Sequence, residues 1–198
     1  MNITDQIYSP ISEPVTSFGA GGISASATAL RFIARNVAEH PLYNVDSGGN
    51  VTLLDQNTTY TNVRWADPTF GIGYGLDKNN NYVIRLVQDN EVRPVIAPFA
   101  VDIKTSYGVA PNHTWYLSDG HTVYRANGDG SFTKVYSNQD LVTIISASND
   151  ALLLSQKNDQ SAREGSLIIL HANGEKYQIE GGAYEAAWSP SGDKLVVS

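Results

Sequence analysis

Short apolar segments alternate with polar, turn-forming clusters along the whole chain. Residues 42–46 lead through Ser47-Gly48-Gly49 into 51–54, and 82–87 lead through Gln88-Asp89-Asn90 into 92–96. Residues 122–125 lead through Asn127-Gly128-Asp129-Gly130 into 132–136, and 167–170 lead through Asn173-Gly174 into 176–179. Asn-Gly and Asp-Gly tolerate positive φ, which tight hairpins demand, so each pair predicts an antiparallel hairpin. Residues 29–40 carry the best helical periodicity. Their beginning matches a strand-like copy at Ala151, so a strand is expected there too.

The pattern repeats. Ile23-Ser24-Ala25-Ser26-Ala27-Thr28-Ala29-Leu30 recurs as Ile145-Ser146-Ala147-Ser148-Asn149-Asp150-Ala151-Leu152, an offset of 122 residues. Trp65-Ala66-Asp67-Pro68 recurs as Trp188-Ser189-Pro190-Ser191, an offset of 123. Equivalent positions fall near 25, 65, 109, 146 and 188. After each comes a turn and a second apolar segment, at residues 29–34, 71–76, 114–117, 151–155 and 194–198, and the first four are followed by the hairpins above. Four strands of about 6 residues and four connections of about 4 make a unit of about 40. That period is the mark of a propeller blade. The expected fold is all-β, a β-propeller with four-stranded antiparallel blades of about 41 residues. It forms a single domain, with blades at 15–56, 57–99, 100–139 and 140–181 and a partial fifth at 182–198. The fifth unit stops after its second strand, so the chain reads as part of a larger propeller. Its unpaired edge would then favour association. A β-sandwich with coincidental spacing is the competing architecture.

The segment Trp188-Ser189-Pro190-Ser191-Gly192-Asp193-Lys194, followed by Leu195-Val196-Val197-Ser198, resembles the blade motif of bacterial TolB-like, WD-repeat-like propellers. Ser191 stands where that motif has Asp, and Asp193 is inserted before the Lys. Trp65 and Pro68 belong to a degraded copy. Trp65, Pro68, Trp188, Ser189, Pro190 and Gly192 are therefore expected to be structural: the Trp pads neighbouring blades and the Pro turn joins first and second strands. The resemblance implies an extracellular or cell-envelope setting and a protein partner.

Composition narrows this reading. Hydrophobic residues make up 41% and charged residues 17%, which fits a packed core and not a disordered chain. The formal net charge is −7, which argues against nucleic-acid partners. Cysteine is absent, removing disulfides and thiolate chemistry. No apolar run approaches the length of a membrane span. Residues 1–14 hold no Lys or Arg and do not form a signal peptide.

Candidate chemistry is sparse. Asp77, Asn79 and Asn81 resemble the start of a calcium loop, but Tyr82 occupies the glycine position and Gln88 the terminal carboxylate position. A polar turn is expected, and no metal or other cofactor. His40, His113, His121 and His171 have no ligand spacing, although His113 and His121 flank one strand pair and could approach each other. Asp46, Asp55, Asp67, Asp102, Asp119 and Glu185 could converge for glycoside chemistry, but each also suits a turn. Gly19-Ala20-Gly21-Gly22 lacks the Lys-Ser/Thr of a phosphate loop and is expected to permit close strand approach. The sequons at Asn2, Asn50, Asn57 and Asn112 carry no weight. Tyrosine is frequent, at 11, and Tyr60, Tyr74, Tyr107 and Tyr184 are candidates for a binding face or for the core. No nucleophile elbow is present. The expected function is a non-catalytic propeller that acts as an interaction or scaffold module, binding protein or another ligand on one face. The alternatives are the substrate-gating propeller of a prolyl-oligopeptidase-like serine peptidase, with its catalytic domain elsewhere, and a carbohydrate-binding propeller.

Overall fold

A computed structural model describes residues 24–25, 29–33, 40–158, 165–179, 186–188 and 194–197. Every regular element among them is a strand. None is a helix long and apolar enough to cross a membrane. The chain divides into two compact units, Met1–Ile96 and Ala97–Ser198.

The first unit holds two four-stranded sheets. Sheet 1 is β1 (Ser24–Ala25), β2 (Ala29–Ile33), β3 (Leu42–Asp46) and β4 (Val51–Asp55). Sheet 2 is β5 (Thr58–Asp67), β6 (Phe70–Asp77), β7 (Tyr82–Gln88) and β8 (Glu91–Pro94). The second unit holds sheet 3, of β9 (Ser106–Val109), β10 (Trp115–Ser118), β11 (Thr122–Ala126) and β12 (Phe132–Ser137). Sheet 4 is β13 (Leu141–Ala147), β14 (Ala151–Lys157), β15 (Ser166–His171) and β16 (Lys176–Ile179). A further pair, β17 (Ala186–Trp188) and β18 (Leu195–Val197), completes it. In every sheet the strands lie in chain order and each neighbour is antiparallel. This up-and-down meander is the blade pattern the repeat predicts. The recurring positions at 25, 65, 109, 146 and 188 all fall in first strands.

Burial follows strand order. β14 begins with four consecutive buried residues, Ala151 to Leu154, whereas β16 is exposed along its length. A second strand is covered on both faces and reads as a continuous apolar run, while an outer strand is wetted. In the first unit Ile33 and Leu42 of sheet 1 pack against Tyr60, Val63 and Val87 of sheet 2. In the second unit Tyr116 and Val123 of sheet 3 face Leu152, Leu154, Ile168 and Leu170 of sheet 4.

Sheets 3 and 4 are also joined by hydrogen bonds. A bulge interrupts the β13–β14 ladder between Ile144 and Ser146. Ile144 N donates to Ser106 Oγ at 2.9 Å, and Val142 N donates to Gly120 O at 2.7 Å. Ser118 Oγ donates to Val142 O at 3.0 Å. Backbone groups of β13 that face sheet 3 thus find partners there, as buried amides require. Gly108 lies where a Cβ would press on Ile144, so its lack of a side chain admits this close approach.

Candidate functional site

A cleft of about 140 Å³ opens between sheets 3 and 4 of the second unit. Its walls include Tyr116, Arg125, Val135, Leu152, Leu170 and His171. The register explains the grouping. Tyr116 pairs with Arg125 across β10 and β11, and Ser118 pairs with Val123 two places along. Successive side chains alternate faces, so Tyr116 and Arg125 share the face of Val123, which packs toward sheet 4. Across the cleft, Ala151 pairs with His171 and Leu152 with Leu170. Gly174 adopts φ 89° in the turn after β15, and its N–H donates to His171 O at 2.9 Å. The small residues Ala151, Ala172 and Gly174 leave the space open.

The floor of the cleft is apolar and its polar groups are uncommitted. Tyr116 is 8% exposed as a residue, and its hydroxyl opens on the cleft and is not sealed in the core. Burial pushes its pKa up, and the nearby Arg125 charge opposes that rise. Arg125 is exposed and forms no ion pair among the described residues. The His171 ring stands edge-on to Tyr177, with centroids 5.6 Å apart. Neither Tyr116 nor Arg125 stood out in the sequence. Counting outward from the Asp119-Gly120-His121 turn places them opposite each other, but only packing shows which face they occupy.

The carboxylates named above behave differently. Asp46 accepts the N–H of Gly48 and of Asn50, at 2.8 and 2.9 Å. Asp67 accepts those of Thr69 and Phe70, and Asp119 those of His121 and Thr122. Asp102 accepts Lys104 N, and Asp55 accepts Asn57 N and the Tyr60 hydroxyl. Each carboxylate closes a local turn. Among the described residues no three His, Asp or Glu gather as metal ligands would. Glu185 lies outside the described residues.

The Asp77, Asn79 and Asn81 triplet is a hairpin turn closed on itself. Asp77 Oδ1 accepts Asn79 N and Asn81 N at 2.8 and 2.9 Å, and Asn80 takes φ 61°. His113 and His121 sit in turns at opposite ends of β10 and do not come together, because a whole strand separates them. His121 Nδ1 lies 3.1 Å from Asp140 O, and His40 and His113 hold positive φ.

Trp65 packs against the Ile33, Leu42, Tyr60, Val63 and Val87 cluster, so it touches both sheets of its unit. The Arg31 guanidinium lies 5.5 Å from its ring centroid. Arg31 is 3% exposed and also donates to Asp89 O. Burial lowers its pKa, with Asp89 and then Asp67 opposing. Pro68 follows Asp67 in the β5–β6 turn. Trp188 lies in β17 with its indole N–H buried and, among the described residues, unbonded, like that of Trp65. Ser189, Pro190, Gly192, Gly19 to Gly22, Asn2 and Tyr184 lie outside the described residues. Tyr60 and Tyr107 are core residues, and Tyr74 stacks on Tyr82.

A second hollow, of about 350 Å³, is lined by Gln88, Asp89, Asn90, Glu91 and Arg93. All five belong to the single β7–β8 hairpin and its ends, and Arg93 is already bonded to Glu91 at 2.9 Å through Nε. It is an open surface with no buried wall, so the smaller inter-sheet cleft is the better site.

No protein-family model and no curated protein sequence matches this chain. A solved structure, the crystal structure of the tricorn protease, is similar with a TM-score of 0.61 at 11% identity. The likeness covers 88% of this chain and 18% of that one, so the chain spans less than a fifth of the protein it resembles. Identity this low speaks to fold alone. Together with the four antiparallel four-stranded sheets, it gives this chain the β-propeller fold.

Proposed function

We propose that this chain is a non-catalytic β-propeller interaction module of the TolB-like kind, binding a protein partner outside the cell or in the bacterial envelope. The observation that carries this reading is the inter-sheet cleft. It pairs apolar side chains with a cation unpaired among the described residues and a tyrosine hydroxyl open to the cleft, whereas the described carboxylates that might do chemistry are held by their own turns. A recognition site needs polar groups in reserve, because they are satisfied only by the partner. The Trp188 segment supports the TolB-like assignment.

The test is selection from a random peptide display library against the purified chain, followed by incubation of the selected peptides with it. Enriched peptides that bind saturably and stay intact are expected. No enrichment, or cleavage of the peptides by the chain itself, would sink the proposal.

A second reading has one observation in its favour, the likeness to a protease. The chain would then be the substrate-gating propeller of a peptidase. Sequencing the gene beyond Ser198 separates the two, since a nucleophile elbow of the Gly-x-Ser-x-Gly type downstream would favour the peptidase.

A further inference from the structure

The geometry points to an acidic side chain of a protein partner, with an aliphatic stem like that of glutamate, as the occupant of the cleft between sheets 3 and 4. This rests on the interaction-module reading and specifies its chemistry.

Size comes first. Pockets for whole small molecules run to about 300–1,000 Å³. At about 140 Å³ this cleft has room for one side chain and little more. A group delivered from a macromolecular surface fits that space better than a free metabolite.

Polarity decides which side chain. Val135, Leu152 and Leu170 give the cleft an apolar interior suited to methylene groups. At the mouth stands Arg125, whose planar fork of donors matches a carboxylate. Tyr116 lines the same wall, with its ring mostly buried and its hydroxyl open to the cleft, where a carboxylate would accept its proton. Tyr116 and Arg125 are cross-strand partners on one face of sheet 3, so both donors lie on the same wall.

The carboxylates nearest in sequence to the far wall do not neutralise Arg125. Glu175 Oε2 accepts Asn173 Nδ2 at 3.0 Å, and Asp150 belongs to the β14 turn whose carbonyl accepts Ala172 N at 2.8 Å. On a chain of net charge −7, this local cation is what would make an acidic partner selective for one place.

The test uses the intact chain and nuclear magnetic resonance titration. The probes are blocked Gly-Glu-Gly and Gly-Gln-Gly tripeptides, and free glutarate. The Glu peptide should shift the amides of residues 116, 125, 171 and 174 saturably, and the Gln peptide should bind at least about tenfold more weakly, as loss of one charge-assisted hydrogen bond implies. Arg125→Gln and Tyr116→Phe should each weaken Glu-peptide binding at least about fivefold. Lys134 pairs with Tyr124, one place along from Arg125 and so on the other face of sheet 3, and Lys134→Gln should leave binding unchanged. Arg125 is exposed, so its replacement spares the fold. Unchanged amide dispersion in Tyr116→Phe would establish the same for that variant.

No saturable shift, equal response to Glu and Gln, or indifference to Arg125→Gln would overturn the proposal. Glutarate binding as tightly as the tripeptide would reassign the cleft to free carboxylates. Displayed peptides that bind without being displaced by Gly-Glu-Gly would overturn this assignment while leaving the interaction-module reading standing.

Discussion

Two glycines of β6 lie beneath aromatic rings. Gly71 and Gly73 alternate along β6 and so face one side. A Cβ on Gly71 would meet the Trp65 ring, and one on Gly73 would meet the Tyr60 ring closer than van der Waals contact allows. The fully buried Tyr60 cannot move aside. Gly73→Ala should therefore cost about 1–3 kcal/mol of stability, read as a lower urea midpoint at unchanged slope. Tyr60 also donates its hydroxyl to Asp55 Oδ2 at 2.8 Å, and both residues are buried. Tyr60→Phe should cost about 1–3 kcal/mol, because it strands a buried carboxylate oxygen. Burial, with Asp55 nearby, holds the Tyr60 pKa far above its ordinary value. Folding stability in the wild type should then decline as pH rises above the unfolded tyrosine value near ~10, and Tyr60→Phe should flatten that decline. An equal alkaline slope in both proteins would refute this assignment.

At the scale of the element, the hairpins share one device. Asp46, Asp77 and Asp129 each accept hydrogen bonds from the turn that follows them. These bonds hold all three carboxyls below the usual carboxylate range. A depressed folded pKa adds stability above the unfolded value of about 3.9, and that contribution is lost as pH falls through the lower folded value. Urea midpoints should drop as pH falls below the unfolded value of about 3.9. The triple variant Asp46→Asn, Asp77→Asn, Asp129→Asn should drop less over that window. All three groups are exposed, so the difference should be small, and a variant that tracks the wild type throughout would assign acid sensitivity elsewhere.

For the molecule as a whole, the connection from β8 to β9 is the point of interest. Ile96, which ends the first unit, is 90% exposed, and Ile103 further along the same connection is 73% exposed. Proteases cut exposed connections before packed strands. Thermolysin, which favours bulky apolar residues, should make its earliest cut among the described residues between 95 and 104, giving two products of roughly half the mass, checked by intact mass spectrometry. First cuts inside β6 or β14 would contradict the burial described for those strands. The hairpins and their order were legible at this scale because turn chemistry is local: Asn-Gly, Asp-Gly and Asp-Pro clusters set chain reversals within a few residues. The segment from residue 29 was legible for another reason. Its copy at Ala151 outweighed its helical period, and it is strand β2.

The all-β class, the repeat of about 41 residues and the identity of the hairpins were legible before any tertiary structure, since they follow from backbone preferences and two-residue alternation. The sequence also marked Trp65 as a position that recurs. What it left open were the relations between strands distant in the chain. Whether His113 could meet His121 depended on which ends of β10 they occupied. That Tyr60 would sit on Gly73, or that Arg125 and Tyr116 would face His171 across a cleft, depended on which sheet face packs inward and on bulges that shift register. A one-residue bulge changes what every later side chain meets, and composition and spacing do not encode it. The carboxylates close turns within a few residues of themselves, as their local sequence allows, but only tertiary packing brings Tyr116 and Arg125 to a cleft between sheets 3 and 4.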